Sequence, residues 1–166
     1  ITDIANKYGS QSVVISIDIK TNLFGKYYIY NHNINVEKKS EISQHIKKFI
    51  DAGAGEILIN RVDLEGTFDG LDNNILKILK KDCEVPLLLN GGLNNLNDAK
   101  KAFLNGADGV VAGSFFVYYG KHRAVLISYP EEEEIYNYLK NKLLRPSFFF
   151  YEFEILFKKV NPKCCA

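Results

Sequence analysis

The chain has 166 residues, of which 46% are hydrophobic and 25% are charged. This composition is typical of a folded domain that buries a sizeable core, and it excludes a disordered protein. The formal net charge of +1 offers no general attraction for nucleic acid or for an anionic membrane. We therefore expect small molecules or another protein as partners, with no nucleic-acid binding and no membrane role.

Cysteine usage and the apolar segments indicate a cytoplasmic protein. The adjacent Cys164 and Cys165, together with the separate Cys83, make neither a disulfide framework nor a metal-binding spacing. The most apolar run, residues 148–157, is too short to cross a bilayer and contains two glutamates. The chain begins at Ile1 and contains no methionine. We expect a fragment of a cytoplasmic protein that needs neither metal nor other cofactor.

The first strand-helix unit is predicted within the first third of the chain. Residues 12–19 form a β-branched run that predicts a buried parallel strand, with Asp18 near its carboxyl end. Residues 26–30 predict one arm of a hairpin in the loop that follows. From Ser40, a possible cap, the apolar spacing predicts a helix that ends at Gly53.

The same alternation of strand and helix then repeats. The helix after the second strand is predicted to turn four residues toward the core, namely Ile75, Leu76, Ile78 and Leu79. The predicted strands cover residues 55–60, 85–90 and 109–113, and the predicted helices cover residues 72–80 and 96–104.

Alternating strands and helices predict an α/β fold with a parallel sheet. Four such units fit either half of a (βα)8 TIM barrel or a small doubly wound sheet. A doubly wound nucleotide fold places a glycine-rich turn after its first strand, whereas here Asp18 ends that strand and glycines follow the later strands. Barrels often bind phosphate in the loops after their last two strands, so we predict a half-barrel of four βα units.

Two glycine-containing turns predict a phosphate cradle. Asn90-Gly91-Gly92 follows the third strand, where glycine lets the backbone approach an anion closely. Ala112-Gly113-Ser114 follows the fourth strand and offers backbone N–H groups and a hydroxyl. Either turn alone could simply be a tight βα connection. Their occurrence after consecutive strands favours a binding site.

Acidic residues at the strand ends are candidates for catalysis. Asp18 lies where barrels carry their catalytic groups and could act as a general acid or base. It could instead cap a loop or bind Lys20. A further acidic cluster lies at residues 63–72, within which Asp72 is predicted to cap a helix and Gly66 to form a turn.

A series of motifs runs in a fixed order through residues 1–130. It comprises GSQSVV leading to Asp18, GAGEIL at residues 53–58, DLEGTFDGLD at residues 63–72, Gly91-Gly92, GAD at residues 106–108 and Ala112-Gly113-Ser114. This series resembles the cyclase subunit family of imidazole glycerol phosphate synthase.

The resemblance implies the C-terminal half of a (βα)8 barrel that works with a glutamine amidotransferase subunit. In the histidine pathway, that family uses ammonia from its partner to convert a phosphoribulosyl aminoimidazole carboxamide nucleotide into imidazole glycerol phosphate and an aminoimidazole carboxamide ribotide. Asp18 matches one of two acid-base aspartates, and the other belongs to a first strand outside this chain. The predicted phosphate and substrate site comprises Glu65, Gly66, Thr67, Gly91, Gly92, Ala112, Gly113 and Ser114, with Lys20, Asn60 and Asp63 as further candidate substrate contacts.

Two departures from the family pattern bear on the substrate. The family usually has Asp-x-Asp-Gly-Thr where this chain has Asp63-Leu64-Glu65-Gly66-Thr67, and the longer acid would crowd the cradle. The segments at residues 120–130 and 24–32 resemble a paralogous branch that is associated with acetamidino modification of surface sugars, again with ammonia from an amidotransferase. We predict that this branch is the closer match.

The end of the chain falls outside this resemblance. Residues 131–145 predict the last barrel helix, with Pro130 in its first turn, Glu131 to Glu134 at its start, and Lys140 and Lys142 near its end. The aromatic-rich tail at residues 146–166 is unassigned and predicts a buried strand, an aggregating strand or a frameshifted tail. An isolated half-barrel would have open edges at its first and last strands and should self-associate.

Two alternative functions remain at this stage. One is the sister phosphoribosyl isomerase barrel, which shares the half-barrel motifs but uses no ammonia; residues 120–130 argue against it. The other is a non-catalytic half-barrel that binds phosphate or an amidotransferase without completing a reaction.

Overall fold

The computed structural model describes residues 1–31, 42–139, 145–151 and 154–160. The strands are β1 (Val14–Thr21), β2 (Tyr27–Ile29), β3 (Glu56–Arg61), β4 (Leu87–Asn90), β5 (Gly109–Ala112), β6 (Tyr118–Tyr119), β7 (Ala124–Val125), β8 (Arg145–Tyr151) and β9 (Glu154–Val160). The α-helices are α1 (Thr2–Tyr8), α2 (Ile42–Asp51), α3 (Asn73–Leu79), α4 (Leu96–Leu104), α5 (Ser114–Val117) and α6 (Glu132–Leu139), and a 3-10 turn at Ser10–Ser12 precedes β1.

Four parallel strands form the centre of a seven-stranded sheet. Its order is β2-β1-β3-β4-β5-β9-β8, and the pairs β1 with β3, β3 with β4, and β4 with β5 are all parallel. Helices α2, α3 and α4 connect these strands in chain order. The predicted α/β fold of alternating βα units, as in part of a TIM barrel, is therefore confirmed.

The main core lies between this sheet and its helices. Ile17 and Ile19 of β1 and Ile57 and Ile59 of β3 are almost completely buried, because alternate residues of a strand face the same side. On the opposite face of the sheet, the described side chains form a small apolar cluster of Leu88 and Val111, with Leu58 packed against them. The residues between the buried isoleucines therefore project from this second face, which is where the candidate site lies.

Local signals account for where α3 begins and where α2 ends. The Asp72 carboxylate accepts a hydrogen bond from the Asn74 N–H at 3.0 Å, so Asp72 caps α3 as predicted. Gly53 adopts a φ of 105° after α2, and its N–H donates to the Ile50 carbonyl, as expected for a glycine that ends a helix. The proposed cap at Ser40 lies outside the described residues.

The prediction that Ile78 is buried is wrong. Its side chain is 48% exposed, whereas Ile75, Leu76 and Leu79 of the same helix are buried. These three residues define a narrow apolar stripe. At 100° per residue, Ile78 lies roughly 100° around the helix from the centre of that stripe, and it therefore points away from the sheet.

Both edges of the parallel sheet are paired. Strand β2 adds to β1 in antiparallel fashion, which confirms the predicted hairpin. On the other side, β9 pairs antiparallel with β5, and β8 pairs with β9. The expectation of an open edge at the last barrel strand is therefore wrong in this structure, because the tail supplies the hydrogen-bonding partner.

The segment before the tail forms the predicted helix, α6. It begins at Glu132, so Pro130 precedes the first turn rather than lying within it, while residues 131–134 do place acids at the helix start. Ile135 of α6 is buried in the main core. Lys140 and Lys142 lie outside the described residues. In the described ranges, none of the helices has the length and apolar character needed to cross a membrane.

Candidate functional site

A cavity of about 180 Å³ opens at the carboxyl ends of β4 and β5. Parallel strands bring their carboxyl ends to one edge, and the loops that follow β3, β4 and β5 meet there. Glu65 and Gly66 come from the loop after β3, and Phe68 of that loop closes one side. The remaining predicted residues that line the cavity are Gly91, Gly92, Ala112, Gly113 and Ser114. We call this cavity the cradle.

Backbone packing requires glycine at two cradle positions. Gly92 has a φ of 88°, and a Cβ atom there would lie 2.5 Å from the Gly70 carbonyl oxygen. Gly91 has a φ of 100°, and its Cβ would lie 2.5 Å from the Arg61 carbonyl oxygen. The sequence suggested that these glycines admit a phosphate. The structure gives a more immediate cause, since the chain itself passes too close for a side chain.

Gly66 and Ser114 face each other within the cradle. A Cβ atom built on Gly66 would lie 3.5 Å from the Ser114 hydroxyl oxygen, and Gly66 has a φ of 68°. Larger residues at position 66 would therefore adopt an unfavourable backbone conformation and extend toward Ser114. Glycine keeps this side of the cradle open.

A row of polar side chains connects the cradle with Asp18. Asp18 and Asn60 are paired in register on β1 and β3. The Asn60 side-chain amide donates to Asp18 Oδ1 at 2.9 Å and to Glu65 Oε1 at 2.7 Å. Asn90, which is buried and lines the cradle, donates to Asn60 Oδ1 at 3.1 Å. Asn60 thus joins the candidate acid-base residue to the edge of the cradle.

Three predicted site residues lie away from the cradle. The Thr67 hydroxyl donates to the Leu64 carbonyl at 2.9 Å, and Thr67 lines a neighbouring cavity. The Lys20 ammonium lies 3.5 Å from the centroid of the Tyr30 ring. Asp63 binds Arg61. Their roles as substrate contacts remain predictions, and these local contacts give each of them a structural role.

Arg61 anchors an ionic cluster that the sequence analysis missed. It follows Ile57 and Ile59 on the helix-facing side of β3 and is only 5% exposed. Its guanidinium forms ion pairs with Asp72 and with Asp63, the latter at 2.9 Å. The sequence signal for this cluster was an arginine at a core-facing position of the strand, followed within a few residues by acidic residues.

The same cluster extends to the β2 hairpin through Tyr27. The Tyr27 hydroxyl donates to Asp72 Oδ2 at 2.8 Å, and the Arg61 guanidinium lies 5.4 Å from the centroid of its ring. Burial raises the pKa of Tyr27 above its ordinary value; the Arg61 charge opposes this change, and the Asp63 charge adds to it. The hydroxyl therefore stays protonated and remains a hydrogen-bond donor.

The pKa of Asp63 is lowered, whereas that of Tyr27 is raised. Burial by itself raises this pKa, but hydrogen bonds from the Arg61 guanidinium and the Thr21 N–H, together with the Arg61 charge, outweigh burial and lower it below its ordinary value. Asp63 is thus held as a carboxylate next to Arg61.

Among the residues that the structure describes, neither a metal centre nor an activated thiol is evident. Within the described part of the chain, no three His, Cys, Asp or Glu side chains group closely enough to hold a metal ion. Cys83 is buried, and its thiol donates to the Val85 carbonyl. Burial raises the pKa of this thiol, which disfavours the reactive thiolate.

The sequence is similar to several curated proteins. It is 44% identical over 138 residues to "Putative imidazole glycerol phosphate synthase subunit HisF" of Leptospira interrogans, an alignment that covers 81% of this chain and 54% of that protein. It is 37% identical to "Putative imidazole glycerol phosphate synthase subunit hisF2" of Pseudomonas aeruginosa, covering 80% and 53%. It is 38% identical to "Imidazole glycerol phosphate synthase subunit HisF" of Chlorobaculum tepidum, covering 70% and 46%.

The chain spans about half the length of these relatives. The family described as "Histidine biosynthesis protein" matches residues 1–123, a region that contains β1 to β5 and the whole cradle. This match covers most of the chain, and the parallel sheet agrees with it. The chain therefore belongs to the histidine biosynthesis protein family.

Proposed function

We propose that this chain forms the phosphate-binding part of a synthase subunit of the imidazole glycerol phosphate synthase type. In this proposal the subunit uses ammonia from a glutamine amidotransferase partner, and Asp18 acts as a general acid or base. The observation that carries the proposal is the Asn60 amide, which bridges Asp18 to Glu65 at the edge of the cradle. It brings a proton-transfer group beside a site suited to an anion.

The size of the cradle supports a phosphate group as its occupant. Its volume of about 180 Å³ is several times the roughly 30 Å³ that one water molecule occupies in the liquid. This space is large enough to hold a phosphate ester. In this proposal the Ser114 hydroxyl and backbone N–H groups of the loops that contain Gly66 and Gly113 donate hydrogen bonds to the phosphate.

Glu65 adds a carboxylate to the lining of the cradle. A carboxylate repels phosphate but accepts hydrogen bonds from hydroxyl groups. Because Asn60 draws Glu65 Oε1 toward Asp18, we assign Glu65 to a hydroxyl of the substrate rather than to its phosphate. A hydroxyl held there would lie between the phosphate and the acid-base group, where a sugar-like carbon chain is expected.

The substrate is either the histidine-pathway nucleotide or a surface-sugar precursor of the acetamidino type. Glu65 in place of the family's usual aspartate favours the second, because a longer side chain reshapes the cradle. The similarity to the hisF2 protein of Pseudomonas aeruginosa is compatible with a paralogous branch. We therefore propose the surface-sugar role first and the histidine role as the alternative.

Phosphate binding is tested by titrating the full chain with inorganic phosphate and following its backbone amide resonances. We expect the amides of Gly66, Gly113 and Ser114 to shift. Ser114→Ala should weaken binding about tenfold, as expected for loss of a hydrogen bond to a charged group. Ser16→Ala, at an exposed position of β1, is the matched control. Phosphate-induced shifts confined to other regions would contradict the cradle assignment.

The acid-base role is tested in a subunit extended to the length of its relatives, with ammonium salt in place of the amidotransferase. Asp18→Asn should lower turnover by about 100-fold or more with little change in substrate affinity, because an amide cannot exchange the proton. Asp69→Asn, at an exposed loop position, is the control. Full activity of Asp18→Asn would rule out an acid-base role for Asp18. The unaltered subunit is offered both the histidine-pathway nucleotide and the surface-sugar precursor, and the one that it converts is its substrate.

A further inference from the structure

Three polar side chains lie in one row across neighbouring strands. Asp18 on β1 is paired in register with Asn60 on β3, and Asn60 is paired in register with Asn90 on β4. Residues in register on adjacent strands point to the same face of a sheet. All three side chains therefore project from the face that carries the candidate site, and the central one, Asn60, contacts both neighbours.

The hydrogen bonds of this row fix the orientation of the Asn60 amide. Its Oδ1 accepts a hydrogen bond from the Asn90 side-chain amide at 3.1 Å. Its Nδ2 donates to Asp18 Oδ1 and to Glu65 Oε1. An ionised carboxylate only accepts hydrogen bonds, so exchanging Nδ2 and Oδ1 would place oxygen against oxygen and N–H against N–H. A single orientation of Asn60 thus satisfies all three contacts.

The same amide separates two acidic groups. Asn60 Nδ2 lies 2.9 Å from Asp18 Oδ1 and 2.7 Å from Glu65 Oε1. Because the two N–H bonds of one amide diverge, these two oxygens are on the order of 5 Å apart. Two ionised carboxylates at that distance repel each other, whereas an N–H group directed at each one stabilises both. Asn60 therefore offsets the repulsion and holds both acids at the same end of the sheet.

Asn90 supports Asn60 from the buried side. The Asn90 side chain is buried, and the next residue, Gly91, packs its backbone so closely on Arg61 that a Cβ atom would lie 2.5 Å from the Arg61 carbonyl oxygen. The backbone that carries Asn90 is therefore closely packed against the end of β3. A side chain whose own neighbours hold it in place can orient a reacting group accurately. Asn90 is the fixed end of the row.

We propose that Asn60 is a positioning residue for both acids, which directs Asp18 toward the reacting atoms and Glu65 toward the substrate hydroxyl, with Asn90 fixing its amide. The sequence analysis treated Asn60 as a substrate contact, whereas both of its N–H donors are used within the protein. This inference rests on the proposed function, since it needs Asp18 as the acid-base group. It adds two uncharged side chains to the groups that the reaction requires.

The bridge is tested first in the full chain without substrate, through the two side-chain amide protons of Asn60. Asn60→Asp identifies their resonances in ¹⁵N-labelled protein, because it removes them. We expect Asp18→Asn to shift one of these protons and Glu65→Gln to shift the other, since each proton loses a charged acceptor. Asp69→Asn, at an exposed loop position, should shift neither and is the control. Unchanged resonances in both Asp18→Asn and Glu65→Gln would overturn the proposal.

The consequences for activity are measured in the extended subunit, with the acceptor that the unaltered subunit converts. Asn60→Ala should lower turnover about tenfold and weaken substrate binding, because both acids lose a hydrogen bond to a charged group. It should cause no further loss of turnover when Asp18 is already Asn, and no further loss of affinity when Glu65 is already Gln. A side chain that only supports the fold would cause the same losses in every background. Asn97→Ala, at an exposed position of α4, is the control.

A second variant keeps the test decisive if Asn60→Ala does not fold. Asn90→Ala leaves the Asn60 amide in place but removes the contact that orients it, so turnover should fall by a smaller factor, and not at all when Asp18 is already Asn. Full turnover of both Asn60→Ala and Asn90→Ala, or equal losses with and without Asp18, would overturn the proposal. Full turnover of Asp18→Asn would instead overturn the proposed function and this inference with it, so the two failures are distinguishable.

Discussion

At the residue scale, Arg61 determines how the end of β3 meets the core. Asn60 and Arg61 are neighbours, but strand alternation sends Asn60 to the candidate site and Arg61 to the helix-facing side. A buried guanidinium needs compensating charge, which Asp63 and Asp72 provide. The acids that follow β3 therefore serve two purposes, since Glu65 lines the cradle while Asp63 and Asp72 neutralise Arg61.

We predict that Arg61→Met destabilises the protein by about 3–5 kcal/mol, because Asp72 and Asp63 lose the charge that compensates them. The free energy of unfolding is measured by urea denaturation. Arg61→Lys, which keeps the charge but cannot bind both acids with a planar fork, should give an intermediate loss. Equal stability of Arg61→Met and the unaltered chain would show that the cluster contributes nothing net.

The lowered pKa of Asp63 predicts a pH dependence of stability. A carboxyl group with a lower pKa in the folded state stabilises the fold above its unfolded pKa of about 3.9, and this contribution is lost as pH falls through the folded value. Stability should therefore decrease below about pH 4. Asp63→Asn should flatten this part of the profile in urea denaturation between neutral and acidic pH. An unchanged slope would contradict the prediction.

At the element scale, capping side chains fix the ends of helices that are too short to be stable in isolation. Helix α4 has only nine residues, too few for stability in isolation. The Asn95 side chain accepts a hydrogen bond from the Asp98 N–H at 3.1 Å, and this contact fixes where α4 begins. The position of α4 matters for the site because the cradle loop after β4 leads directly into it.

We predict that Asn95→Ala lowers the free energy of unfolding by about 1 kcal/mol, since the first turn of α4 loses its cap. Thermal and urea denaturation measure the loss. Asn97→Ala, at an exposed position inside the same first turn, is the matched control and should be neutral or slightly stabilising, because alanine favours helix. Similar losses in both variants would indicate that capping is not the cause.

At the scale of the whole molecule, the tail hairpin covers the β5 edge of the four parallel strands. Four residue pairs join β5 to β9, and seven join β9 to β8. The unpaired N–H and C=O groups of an edge strand attract other chains, and pairing with β9 satisfies those of β5. The tail thus takes the place next to β5 that another strand of a barrel would occupy.

Removal of residues 145–166 should expose the β5 edge and cause self-association. Sedimentation velocity at several concentrations would detect larger species, with the full chain as the reference. Leu156→Pro should have a smaller effect in the same direction, since proline removes a backbone donor within β9. A truncated chain that stays monomeric over the same concentrations would show that the edge is protected in another way.

The sequence by itself determined the order of the strands and helices, the cap at Asp72 and the glycine turns of the cradle. These features depend on periodicity and on residues a few positions apart, so a linear pattern carries them. The sequence also placed Asp18 at a strand end. The failure at Ile78 shows the limit of such reasoning, because the width of a buried stripe depends on the surface that covers it.

Only the tertiary structure decided how distant residues meet. Asn60 donates to Asp18 on the adjacent strand, 42 positions away in the sequence, and Arg61 pairs with Asp72 beyond the loop that follows β3. The cavity that Thr67 lines requires the loop after β3 to meet the β6-β7 hairpin. The pairing of β9 with β5 is equally non-local. Such contacts depend on chain closure in three dimensions, which local propensity and spacing do not encode.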